Sequence, residues 1–127
     1  MPLSEPHNLQ TNSFNVGSLA DVATPSTLNA PIPFRGRVVG AGCSISAALT
    51  GADTIVTVQK VGPGGPFEIG KITIPAAGSG PGSSYGMVLT GNEIACTVEA
   101  FNSLNFVSGG EGSGPAVANF VAIVRGS

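Results

Sequence analysis

The chain has 127 residues, which suits a single domain with its own hydrophobic core. Charged residues make up only 9% of the sequence, against about 25% in an average soluble domain. The five Lys and Arg residues form no cluster that could follow a phosphate backbone, and no apolar run reaches the ~20 residues of a membrane span, so neither nucleic acid nor membrane is expected as a partner.

The low fraction of charged residues indicates a protein that is assembled with copies of itself or with partners. Soluble monomers usually have charged groups distributed over their surface. The alternative is a neutral monomer whose surface is hydrated through Ser and Thr side chains. The abundance of glycine (19) and proline (10) is typical of short strands joined by many turns.

Residues 1–31 differ from the rest of the chain because they contain isolated apolar residues and several prolines but no alternating run. Ser18 could cap a short helical turn at 17–23. We expect this segment to be an extended arm that docks on another surface, since its apolar residues are too few to fold alone. A loosely ordered terminus is the alternative. The segment has neither the basic start nor the apolar run of a signal peptide, so synthesis in the cytoplasm is expected.

The β domain is predicted to begin at residue 32, and its first half contains three strands. Residues 34–49 form a long strand, bent at its glycines, whose later part places apolar side chains on one face. Residues 54–61 are rich in β-branched residues, and residues 67–74 alternate between apolar and polar. The Gly/Pro loop at 62–66 can belong to neither a helix nor a strand.

The second half of the domain is predicted to contain three more strands. Residues 84–90 alternate, and residues 94–101 show the cleanest alternation in the chain, with Glu99 on the outer face. Residues 102–115 are polar and rich in Gly and Ser, which indicates a loop. Residues 117–125 form the last strand.

The last strand is apolar on both faces, which is typical of a strand that is covered on both faces. In a small sandwich only one face can be the core, so the other requires a partner, either another subunit or the N-terminal arm. One face carries Val117, Val121 and Ile123, and the opposite face carries Ala118, Phe120, Ala122 and Val124.

Six or more short strands without a convincing long helix predict an all-β fold, an antiparallel β-sandwich of the jelly-roll type with an extended N-terminal arm. The predicted organisation is an arm at 1–31 and a sandwich at 32–127. Cys43 and Cys96 lie in strand-like surroundings, and we expect both to be reduced core residues. A cross-strand disulfide is the alternative.

The residues that could support catalysis are few and scattered. His7 is the one histidine, and nothing in the arm would fix it beside a nucleophile or complete a metal site with the cysteines. Three of the seven acidic residues, Asp53, Glu68 and Glu93, border turns. The chain has no tryptophan and only one tyrosine, which makes an aromatic platform for sugar binding weak. We therefore predict no catalytic, cofactor-binding or metal-binding residues, no cofactor, and no enzymatic activity.

Ordered features between residues 32 and 125 resemble small phage-encoded β-sandwich proteins that decorate or cement bacteriophage capsids. The features are Pro33-Phe34-Arg35-Gly36 at the entry to the domain, the turn Gly51-Ala52-Asp53, the strand end Val58–Gly62, the segment Ile72-Thr73-Ile74-Pro75-Ala76 before a Gly/Ser loop, and the turn Gly91–Ile94. The resemblance covers about three quarters of the chain. It implies a jelly roll, commonly a homotrimer, that is bound to the capsid exterior with its N-terminal segment on the major capsid protein.

The function expected from this resemblance is that of a structural virion protein, made in the host cytoplasm, that stabilises a phage capsid by bridging capsomers. The arm would contact the capsid through Leu3, Leu9, Phe14, Leu19 and Val22. The last strand would supply the subunit interface through Phe120, Ala122 and Val124.

The alternative is a receptor- or glycan-binding module of a phage head fibre or tail, which would use the loops at 62–66, 78–84 and 102–115. These loops are poor in the aromatic and charged groups that usually dominate binding sites.

Overall fold

The computed structural model describes residues 11–32 and 35–126, and within these ranges the chain folds into nine antiparallel strands and one four-residue helix. The elements are β1 (Thr11–Leu19), β2 (Ser26–Pro31), β3 (Gly36–Ile45), β4 (Thr54–Val61), β5 (Phe67–Ile74), β6 (Ser84–Leu89), α1 (Glu93–Cys96), β7 (Thr97–Val98), β8 (Ser103–Ser108) and β9 (Ala118–Gly126). The helix among them is far too short to cross a bilayer.

The strands form two sheets that share β6. Sheet A has the order β1-β9-β3-β6, with β7 on the end of β3, and sheet B has the order β2-β8-β4-β5-β6. The first half of β6 pairs with β3, as at Gly86 and Gly42, and the second half pairs with β5, as at Met87 and Ile72. The two sheets are therefore joined along β6 and open between β1 and β2. This architecture confirms the predicted antiparallel, jelly-roll-like β-sandwich.

The core fills the space between the two sheets with side chains from alternate positions of each strand. In β8 the exposure alternates residue by residue, so that Leu104 and Phe106 point inward while Asn105 and Val107 do not. The Phe106 ring lies 4.8 Å from the ring of Phe120, centroid to centroid, and the pair joins sheet B to sheet A. Aromatic pairs at this distance contribute beyond the area that they bury.

The place where β6 passes between the sheets depends on a residue without a side chain. A Cβ atom at Gly70 in β5 would lie 2.5 Å from the backbone oxygen of Val88 and 2.6 Å from the Cγ of Met87. Gly70 therefore allows β5 and β6 to approach closely at the point where the chain leaves sheet A for sheet B.

Residues 11–31, predicted to belong to the arm, instead form β1 and β2, so the boundary at residue 31 is corrected. β1 contains a bulge between Asn15 and Gly17. The bulge places the inward residues Val16 and Leu19 three positions apart, so the strand does not show the regular alternation by which strands are predicted. Gly17 adopts a φ of 136°, which favours glycine. Residues 1–10, which are the remainder of the predicted arm, lie outside the described residues.

The segment 94–108 also differs from its prediction. Asn92 is the N-cap of α1, since its side-chain oxygen accepts a hydrogen bond from the Ala95 N–H at 3.0 Å. Of the predicted strand at 94–101, only Thr97–Val98 form a strand. The segment 102–115, predicted to be a loop, contains β8. The glycines that follow β8 directly, at 109 and 110, favoured the prediction of a loop. The predicted helical turn at 17–23 is the end of β1 and a turn held by Asp21.

Candidate functional site

The structure reverses the two faces of the last strand. Phe120, Ala122 and Val124 are fully buried between the sheets, so they contribute to the core of their own chain and the predicted subunit interface there is corrected. Phe120 faces inward because it packs against Phe106. The opposite face of β9 points outward, and Val121 on it is 43% exposed. The prediction that both faces of β9 are apolar is confirmed, but the prediction of which face points outward is wrong.

The outward residues of β9 continue onto β3 and form an apolar surface, which we call the sheet A face and define by Val39, Gly40, Val121 and Ile123. The register of β3 shifts between Val38 and Gly40, and Val39 in this bulge is exposed. Gly40 lies opposite Ile123, whose Cδ1 would be 3.4 Å from a Cβ atom at that position. The sheet A face thus exposes branched apolar side chains on β3 and on β9, which lies between β1 and β3.

A groove of about 500 Å³ adjoins the sheet A face. Gly42 and Gly86 are paired across β3 and β6. A Cβ atom at Gly86 would meet nothing within 4 Å, so the backbone of β6 is accessible here, whereas a Cβ atom at Gly42 would lie 2.9 Å from the backbone oxygen of Tyr85. The polar side chains in the lining are uncharged, namely Asn15, Ser44, Ser84 and Asn119. Such a groove can exchange hydrogen bonds with a polar ligand or with the polar rim of a protein partner.

Two arginines lie at one end of the sheet A face. Arg37 of β3 is directly opposite Arg125 of β9, and both are exposed. Among the described residues neither has a carboxylate within ion-pair distance, whereas Arg35 pairs with Glu99 at 3.4 Å. Like charges directly opposite each other across two strands destabilise a sheet, so an acidic group placed beside this pair would stabilise it. The sequence alone could not predict this pair, because Arg37 and Arg125 are 88 positions apart.

The titratable groups elsewhere stabilise the fold. The Asp21 carboxylate accepts hydrogen bonds from the backbone N–H groups of Ala116 and Ala23, and these bonds lower its pKa. Burial raises the pKa of the Cys43 thiol to about 11 and also raises that of Cys96, and both cysteines are free thiols in the core, as predicted. The described residues include no group of three or more His, Cys, Asp and Glu side chains that could hold a metal ion.

Of the five residues predicted to contact a capsid, the structure describes the side chains of Leu19 and Val22. Leu19 and Val22 are buried in the core of the sandwich, so these two contacts are corrected. The backbone of Phe14 pairs with Ala122 in sheet A, and its side chain lies outside what the structure describes. Leu3 and Leu9 lie outside the described residues, as does His7.

Comparison with known proteins yields similarity of fold. The carbohydrate-binding module CsCBM6-3 of Clostridium stercorarium, in complex with cellobiose, has a TM-score of 0.52 at 13% identity, over 95% of this chain and 85% of the module. A family 43 arabinoxylan arabinofuranohydrolase from Bacillus subtilis has a TM-score of 0.54 at 11% identity, over 91% of this chain but only 27% of the enzyme. The capsid asymmetric unit of cyanophage Pam1 has a TM-score of 0.49 at 15% identity, over 100% of this chain and 94% of that chain.

No family model and no curated protein matches the chain. The neighbours in known structures therefore include a carbohydrate-binding module and a chain of a viral capsid, and at these identities the similarity to the module shows a shared fold alone.

Proposed function

We propose that this protein is a non-catalytic, structural virion protein that binds the outer surface of a bacteriophage capsid and stabilises it by bridging capsomers. The observation that carries the proposal is the sheet A face, where Val121 and Val39 are exposed on a sheet rather than at its ends. Exposed apolar patches on a small domain mark interaction sites, because burying them releases free energy.

The surroundings of the sheet A face support a protein partner. Protein interfaces combine an apolar centre with a polar rim in which arginine is enriched, and Arg37 and Arg125 occupy that position here. The partner is the major capsid protein, which would place apolar side chains over Val121 and carboxylates near the two arginines. The sheet A face thus replaces Leu19 and Val22 as the contact surface.

The stabilising mechanism is mechanical. A homotrimer presents three sheet A faces at once, so that the second and third contacts form within one complex at high effective concentration. Many such complexes on the capsid exterior resist the separation of neighbouring capsomers. The resemblance of residues 32–125 to capsid decoration proteins supports this role.

The test uses capsids purified without this protein and the recombinant chain, mixed and sedimented together. We expect Val121→Asp to weaken cosedimentation at least about tenfold, because a carboxylate would be buried against apolar groups and beside the partner's acids. Val88→Asp is the matched control, since Val88 is the same residue type, is 70% exposed and lies on β6 opposite Lys71. Equal binding by wild type and Val121→Asp would refute the assignment of the sheet A face.

A glycan-binding module is the second candidate, and the groove beside the sheet A face favours it. Its volume of about 500 Å³ is within the usual range for ligand sites, and its amide and hydroxyl groups suit sugar hydroxyls. The fold is also similar to that of the Clostridium stercorarium module solved with cellobiose. Against it, the one aromatic residue in the lining, Tyr85, is half-buried and packs against the core. A glycan array on which a hit is abolished by Asn119→Ala would rank this function first.

A further inference from the structure

The turn between β7 and β8 exposes a large aromatic side chain. The Asn102 N–H donates to the Glu99 carbonyl at 3.1 Å, and the Asn102 side-chain oxygen accepts from the Glu99 N–H at 2.9 Å. Phe101 is the third residue of this closed turn, and it is 80% exposed. Its backbone N–H donates to the Ile32 carbonyl at 2.6 Å, so the position of the residue is fixed.

Local structure does not account for a phenylalanine at this position. Phe101 has a φ of 67°, in the left-handed region that glycine and asparagine adopt readily and bulky residues avoid. Its ring is in solvent rather than in the core. A strained backbone that presents an exposed aromatic ring indicates an intermolecular contact, because neither feature stabilises the isolated chain.

The same turn forms one wall of a pocket of about 420 Å³. Glu99 and Asn102 line it on one side, Pro63 lines it on another, and Ile94 supplies an apolar wall that is 71% exposed. Lys60 also lines the pocket, and its Nζ donates to the carbonyls of Ile94 and Thr97, each at 2.8 Å. The ammonium group is thereby held in place beside apolar walls.

An aromatic ring is the chemical group that suits this pocket. Its edges and faces would contact Ile94 and Pro63, and its face would attract the fixed Lys60 ammonium by a cation–π interaction. Lys60 already makes such a contact with its neighbour Phe67, whose ring centroid is 5.1 Å from Nζ. Glu99, the acidic residue in the lining, is paired with Arg35, so the rim does not repel the electron-rich face of a ring.

We propose that Phe101 of one copy of this chain inserts into the Lys60–Ile94 pocket of a second copy. Phe101 is the large aromatic residue that is exposed among the described residues, and it projects from the turn that lines the pocket. A chain that carries both a protruding side chain and its receptor has self-complementary surfaces, which build closed oligomers. This contact rests on the homotrimer of the proposed function and deepens it by naming the residues that hold the copies together, and it uses no residue of the sheet A face.

The test is sedimentation equilibrium of the wild-type chain and of two single variants over a wide concentration range. Phe101→Asn removes the ring and places a residue that tolerates the left-handed backbone, and Ile94→Asp puts a carboxylate on the pocket wall. We expect wild type to form an oligomer and each variant to be monomeric at the same concentrations. An equimolar mixture of the two variants should form a dimer, because the intact Phe101 of one variant can enter the intact pocket of the other.

Thermal unfolding at a concentration where wild type is monomeric supplies a second readout. Phe101→Asn should unfold at the same temperature as wild type or higher, since it relieves the strained φ. Loss of self-association with unchanged or raised thermal stability supports the contact, whereas a monomeric wild type or an unchanged oligomer in Phe101→Asn overturns it. Capsid cosedimentation is measured separately with Val121→Asp, so failure of this contact and failure of the proposed function are distinguishable.

Discussion

Replacement of Phe120 by alanine distinguishes the two assignments of the last strand. If Phe120 faced a partner, as its position in the sequence suggested, the isolated chain would lose little stability. In the structure its side chain is fully buried, and its ring packs at a tilt of 40° against the ring of Phe106, with the centroids 4.8 Å apart. Truncation of a buried Phe to Ala costs about 3–5 kcal/mol. Domains of this size have a total stability of roughly 5–15 kcal/mol, so the variant is expected to be severely weakened.

Urea unfolding followed by circular dichroism measures this loss, with the slope of the transition compared between variants to confirm that the unfolded state is unchanged. Val121→Ala is the matched control, because Val121 is the next residue of β9 but points outward and should lose less than about 1 kcal/mol. A loss below about 1 kcal/mol for Phe120→Ala, or an equal loss for both variants, would show that the inward assignment of Phe120 is mistaken.

Three further predictions concern buried and titratable groups. The lowered pKa of Asp21 means that its contribution to stability is present above its ordinary value of 3.8 and is lost as pH falls through the folded-state pKa. Asp21→Asn should therefore melt below wild type at pH 7 and converge with it in acid, and a constant gap in melting temperature contradicts this. Because the pKa of Cys43 is about 11 and that of Cys96 is raised, native protein at pH 8 should leave both thiols unlabelled by a disulfide reagent that labels them in denaturant, and rapid native labelling would contradict their burial. Ser108→Ala should cost about 1–3 kcal/mol in urea unfolding, since the buried Ser108 hydroxyl donates to the Val22 carbonyl at 2.5 Å, and a neutral effect would mean that water replaces it.

The strands that were predictable from sequence are those whose alternation is uninterrupted. Residues 54–61 and 67–74 were predicted with the bounds that the structure gives them, because Gly/Pro turns flank them and β-branched residues fill them. β1 was missed because the bulge at Asn15 and Gly17 breaks the period of two, and a reading that assumes a constant period cannot detect it. A period that shifts by one residue at a glycine was the available signal.

The candidate surface was only half predictable for a different reason. The pattern in β9 showed that both faces are apolar, but which face is inward depends on Phe106, a residue in another sheet that is 14 positions away. The opposition of Arg37 and Arg125 is also a product of register between distant strands. Phe101 was predicted to end the strand at 94–101, and neither the turn that holds it nor its φ and exposure could be predicted from the sequence.

Because β6 belongs to both sheets, hydrogen bonds join the sandwich along β6. At the opposite edge, β1 and β2 are not paired with each other among the described residues. Opening fluctuations should separate this edge first, since within the described part of the chain β1 is paired only with β9 and β2 only with β8. Backbone amides of β1 should therefore exchange with deuterium earlier than those of β3 and β9, which are paired on both sides. β1 is thus an edge strand that can detach at low cost while β6 remains paired with both sheets.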